Sequence, residues 1–142
     1  MNNLLNSLNQ LNQLETLNIH AFFLVKLFLI AGINKINGFN STVDGFINVL
    51  TNFNISLPFL QLYQLIILLV VILEICAPIS IILSINYFID RLYGKIAIIS
   101  LIIFTILATI LYHNPLMDPT QTMAMLKNLS IVGGFMSLYK LL

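Results

Sequence analysis

Between Asp44 and Asp90 the sequence carries one charged residue, Glu74, and between Lys95 and Asp118 it carries none. A hydrocarbon core about 30 Å thick takes about 20 apolar residues of helix, and both stretches exceed that length. The rest of the chain is nearly as sparse: its 142 residues include six Lys or Arg and five Asp or Glu, 8% charged, where soluble domains carry about 25%. A particle of this size has more surface than those polar residues could cover, which excludes a soluble globule. Disorder needs low hydrophobicity and high net charge, and here 59% of residues are hydrophobic and the mean hydropathy is +1.00. The net charge of +1 gives no basic patch, so nucleic-acid binding lacks electrostatic support. The composition implies an integral membrane protein.

Four spans are expected, over residues 20–36, 58–85, 92–112 and 119–139, making a four-helix transmembrane bundle of all-α class. Pro58 suits the first turn of a helix, where its missing N–H costs nothing. Residues 86–91 form a short connection, so the second and third spans make an antiparallel hairpin. Asp118, Pro119 and Gln121 read as a helix start with a capping box. Residues 1–19 form a separate N-terminal segment. Leu4, Leu8, Leu11, Leu14 and Leu17 share one stripe there, which predicts an amphipathic helix on the membrane surface. In the loop 37–57, Ser41–Asp44 resembles a capping box. Val43, Phe46, Ile47, Leu50 and Phe53 follow at helical spacing, predicting a short interfacial helix over the bundle. Four spans put both termini beside the 86–91 turn. Arg91, Lys95 and Lys140 on that side, against Lys35 and Lys127 on the other, place both termini in the cytoplasm.

Charges within spans are the candidate functional groups. Lys26 lies roughly 9 Å into the first span and Glu74 roughly 16 Å from the end of the second, at 1.5 Å per residue. A lysine stem covers the difference, so the two are expected to face each other inside the bundle. The alternative is that Lys26 snorkels to the interface and Glu74 stays protonated. Pro78 cannot donate a helix bond to the carbonyl of Glu74, which marks either a packing kink or a ligand site. At the opposite face, Lys35, His113 and Lys127 are expected near Asp44 and Asp118. Lys35 alone reads as an interfacial anchor, and His113 with Lys127 and Asp118 as a shared polar mouth. Metal binding is not expected, because no second His or Cys is placed to join His113. Small residues predict close helix packing: Cys76, Ser80 and Ser84; Ser130 and Gly134; Gly133 and Ser137; and Ala31-Gly32. Cys76 is the single cysteine, so a dithiol cycle or internal disulfide is excluded.

In order along the chain, Phe23-Leu24-Val25-Lys26, Ala31-Gly32-Ile33-Asn34-Lys35-Ile36, Ser56-Leu57-Pro58, Leu73-Glu74-Ile75, Asp90-Arg91, Ala108-Thr109 with His113, Gln121, Lys127-Asn128-Leu129 and Gly133-Gly134 resemble the DoxX family of small membrane proteins. The resemblance covers about residues 20–140. It implies a four-helix membrane protein with cytoplasmic termini that acts as a non-autonomous subunit. Such subunits are tied to quinone-linked redox or oxidative-stress chemistry, or act as membrane chaperones. On that reading Glu74, His113 and Lys127 would line a lipid or quinone headgroup site. The partners expected are the bilayer and either another protein or a second copy. A small proton-coupled transporter and an assembly factor are the competing functions. No nucleophile–base pair, metal cluster or phosphate loop supports an autonomous enzyme.

Overall fold

The long uncharged runs become helices, the conformation in which a chain in lipid satisfies its own backbone hydrogen bonds. A computed structural model describes residues 2–142, with side chains at position 12 and from position 15 onward. Among the described residues it contains five α-helices: α1 (Asn2–Asn37), α2 (Phe39–Asn52), α3 (Leu60–Ile85), α4 (Arg91–Tyr112) and α5 (Thr122–Leu141). A single 3-10 turn, Pro119–Gln121, leads into α5. Three stretches are long and apolar enough to cross a membrane: Glu15–Asn37 within α1, all of α3, and all of α4. This is an all-helical membrane protein.

The separate N-terminal helix expected over residues 1–19 is not separate. α1 runs through it unbroken for 36 residues, about 54 Å at 1.5 Å per residue. The reason is local: no proline occurs before Pro58 and no glycine before Gly32, so nothing stops the helix between Asn18 and Ala21. Leu17 packs on the core; Leu4, Leu8, Leu11 and Leu14 lie outside the described side chains.

α1, α3, α4 and α5 pack in a ring in which each touches the next and α5 returns to α1. Each presents one seam of residues spaced three and four apart to the centre. In α1 the seam is Ala21, Val25, Phe28 and Gly32. In α3 it is Ile67, Val71, Glu74, Ala77, Pro78, Ile81 and Ser84. Gly94, Ile98, Leu101 and Thr105 of α4 and Phe135 and Leu138 of α5 complete the centre. α1 and α3 are antiparallel and held in register at two levels. At one end Asn86 Nδ2 donates to Asn18 Oδ1 at 3.1 Å. A little under halfway along α3 from that end toward its start, Gly32 lies against Glu74 and Ile75.

Beyond that level α1 stops, and α2 takes over. Val43, Phe46 and Leu50 of α2 cover Tyr63 and Ile67 of α3 in a second apolar cluster. The expected capping box at Ser41 does not form. The helix starts at Phe39 behind Gly38, and the Thr42 hydroxyl donates back to the Gly38 carbonyl at 2.9 Å. Pro58 sits just ahead of α3 rather than in its first turn, and the Tyr63 hydroxyl accepts from the Leu57 N–H at 2.7 Å to hold that turn. The α3–α4 hairpin turns at Tyr87, whose φ is 62°. Asp90 caps α4 by accepting from the Leu92 N–H at 2.7 Å.

The small-residue ladders are used selectively. Ser84 is fully buried against Gly94, but Cys76 is exposed on the outer surface of α3. The close-packed face lies one position over, at Ala77 and Pro78. A Cβ at Gly133 would meet nothing within 4 Å, whereas one at Gly134 would lie 2.9 Å from Leu24 Cδ2. Gly133→Ala is therefore expected to be neutral or to stabilise by up to about 1 kcal/mol from helix propensity, measured by thermal unfolding in detergent. A loss of stability would show that Gly133 contacts something the monomer lacks.

Candidate functional site

Gly32 sets the position of the one carboxylate in the transmembrane core. A Cβ at residue 32 would stand 3.2 Å from Glu74 Cβ and 3.0 Å from Ile75 Cγ1, so the absence of a side chain lets the α1 and α3 backbones close together. One turn further on, Lys35 continues the seam Ala21–Val25–Phe28–Gly32. Its Nζ donates to both Glu74 carboxylate oxygens, each at 2.8 Å. The Glu74 side chain is 3% exposed and that of Lys35 27%. A cation in the last turn of α1 also suits that helix's dipole.

This corrects the expected partner. Lys26 does not meet Glu74; its ammonium lies 5.7 Å from the centre of the Phe22 ring on the outer face of α1. Register and helix face explain the difference. Asn18 pairs with Asn86, so Gly32 comes level with Glu74, and Lys35 is three residues from that level where Lys26 is six. Lys26 also follows Val25 by one residue, about 100° around the helix from the buried seam. Lys35 is correspondingly not an anchor at the far membrane face.

A cavity of about 580 Å³ lies against this ion pair. Its wall is mostly apolar, with Phe28 and Ala31 from α1, Ile67 and Val70 from α3, and Phe104 and Ala108 from α4 among its lining residues. Lys35, Glu74, His113 and Lys127 all line it; Lys26 does not. His113, the C-cap of α4, hydrogen-bonds through Nδ1 to Gln121 Oε1 at 2.9 Å. Gln121 Nε2 donates in turn to Asp118 Oδ2 at 3.3 Å. Asp118 is not part of the mouth with Lys127: its Oδ1 accepts from the Thr120 hydroxyl at 2.7 Å and the Thr120 N–H at 3.0 Å. Asn128, singled out from sequence only within the DoxX resemblance, also lines the cavity. It donates to Thr109 Oγ1 at 3.0 Å and ties α5 to α4. Its position three residues before Ile131 and seven before Phe135, on one helix face, is the signal that marks it.

The Thr120 hydroxyl and N–H, with Gln121, hold the Asp118 carboxyl below the usual carboxylate range. The sign follows: a depressed folded value means that ionised Asp118 stabilises this helix start above its unfolded value of about 3.9. That contribution is lost as pH falls through the folded value. Asp118→Ala is expected to loosen the start of α5 at neutral pH and to matter progressively less as pH falls and the wild-type cap is itself protonated. Amide hydrogen exchange across residues 120–125, followed from neutral to acid pH, checks this.

Among the described residues no group of three or more His, Cys, Asp or Glu is placed to hold a metal. Against known protein families, curated proteins and solved structures, the chain matches none. The DoxX resemblance therefore rests on its ordered residues.

Proposed function

We propose that this protein holds an amphipathic small molecule, a lipid or a quinone-type compound, inside a transmembrane bundle. We further propose that it works as a DoxX-like membrane subunit with a protein partner or a second copy. The observation that supports this reading is the Lys35–Glu74 ion pair on the wall of a largely apolar cavity of about 580 Å³, within the 300–1,000 Å³ range of small-molecule sites. Such sites combine apolar walls with a few placed polar groups. α5 is the fourth crossing in this reading. Its 20 residues reach about 30 Å, it closes the ring between α4 and α1, and Lys127 and Lys140 lie near enough to its ends to reach headgroups. Arg91, Lys95 and Lys140 then mark the cytoplasmic side.

Holding is favoured over proton-coupled transport because Lys35 already neutralises the carboxylate that a proton carrier would need free. The test is extraction of the full-length protein purified in mild detergent, followed by mass spectrometry of what co-purifies. The wild type is expected to carry a lipid-like or quinone-type molecule in near-stoichiometric amount. Ala108→Trp, which fills the cavity, should lose it, and Glu74→Gln should retain less. Equal recovery from all three proteins, each folded, would overturn the reading.

A further inference from the structure

The charges on the cavity wall do not balance. Two lysines, Lys35 and Lys127, face one carboxylate, Glu74. Glu74 is engaged through both oxygens by Lys35, and among the described residues no carboxylate lies within 4 Å of the Lys127 ammonium. The nearest acidic residue in the chain, Asp118, is turned to Thr120 and Gln121. Lys127 thus brings a net positive charge to a largely apolar cavity, beside two further hydrogen-bonding side chains, His113 and Asn128.

The depth of these groups differs. Lys127 is five residues past the start of α5 at Thr122, roughly 7–8 Å along the helix, close to the headgroup level. The apolar part of the cavity lies deeper, between α1 and α5. Those helices touch at Leu24–Gly134 and at Phe28–Phe135, whose ring centres are 5.5 Å apart. Past that contact, Ala31 and Lys35 of α1 face Lys127 and Asn128 of α5 only across the cavity. Leu27 and Lys127 line the cavity and are also exposed, so it reaches the surface along this seam.

We infer that the cavity takes a single-tailed anionic amphiphile from the bilayer through the α1–α5 seam. Lys127 holds the carboxylate or phosphate head, and the tail lies in the wedge above Phe28 and Phe135. This rests on the reading of the cavity as a ligand site and adds the charge, position and route of the ligand. At the cavity mouth a charge-assisted hydrogen bond from Lys127 favours an anionic head over a neutral one. Opening onto lipid suits an amphiphile that never leaves the membrane.

The test is direct binding of radiolabelled palmitate, lysophosphatidate and hexadecanol to the full-length protein in phosphatidylcholine nanodiscs. At least one of the two anions is expected to bind tenfold or more tightly than the alcohol of equal tail length, and which anion wins identifies the head. Lys127→Gln should erase that preference, while Lys127→Arg should keep it. Equal binding of anion and alcohol would overturn the anionic head, and a preference unchanged in Lys127→Gln would overturn Lys127 as its anchor; either result leaves the ligand site standing. If none of the three binds, or all bind Ala108→Trp as well as wild type, both the inference and the ligand-site reading fail.

Discussion

Replacing Lys35 with methionine is expected to destabilise the bundle by about 3–5 kcal/mol, because removing one partner of a buried ion pair leaves the other charge uncompensated. Glu74 is 3% exposed, and both its oxygens are served by the one ammonium at 2.8 Å. Methionine keeps the length and apolar stem of lysine, so the change removes the charge and little else. The double variant Lys35→Met with Glu74→Leu should recover most of the loss, since an apolar pair of similar volume is often as stable as the ion pair it replaces. Ligand recovery separates fold from function here. The repaired double variant should be stable and carry less ligand, having lost the polar groups at the inner end of the cavity. Thermal unfolding in detergent and the extraction assay read the two effects independently.

The second large effect is expected at Gly94. A Cβ there would stand 2.6 Å from Ser84 Cβ and 2.7 Å from Leu142 Cδ2. The leucine can move, but Ser84 is fully buried on the facing surface of α3. Gly94→Ala is therefore expected to cost about 1–3 kcal/mol as overpacking, despite the gain in helix propensity. Gly94→Leu should cost more, because α3 and α4 must part at their hairpin end. That end also holds the Arg91 guanidinium, which donates to the Leu142 carbonyl at 3.3 Å, so the loss should extend to the end of α5. Gly45→Ala, where nothing lies within 4 Å, is the matched control and should not destabilise. Unchanged stability in Gly94→Leu would mean that the two helices do not approach as described.

α3 and α4 were legible in the sequence because lipid imposes a simple rule: about 20 predominantly apolar residues with few charges among them. α3 and α4 obey it, and their limits fall within two residues of those expected. α1 is harder to read because its Asn- and Gln-rich start is as helical as its apolar end, and hydropathy does not register a helix that simply continues. α5 is harder still, because Lys127 interrupts its apolar run.

The site was legible in its residue types more than in its pairing. Glu74 stands out as the single charge in a long apolar stretch. Its partner depends on the register of α1 against α3 and on which face of α1 is packed, and depth alone does not choose between Lys26 and Lys35. The seam Ala21–Val25–Phe28–Gly32–Lys35 carries that information in the sequence, since it puts Lys35 on the packed face and Lys26 off it. The close approach of Ser84 and Gly94, and the link from Asn128 to Thr109, join residues on different helices. Periodicity within one helix does not specify which residues of its neighbour it will meet.

The central claim is that Lys35, not Lys26, neutralises Glu74 beside the cavity, and paired double-mutant cycles of Glu74→Gln with Lys35→Met and with Lys26→Met test it most directly. The account predicts strong coupling with Lys35, on the order of 1–3 kcal/mol for residues in direct contact, and coupling with Lys26 within about 0.5 kcal/mol of zero. Additive effects with Lys35 together with strong coupling to Lys26 would contradict it.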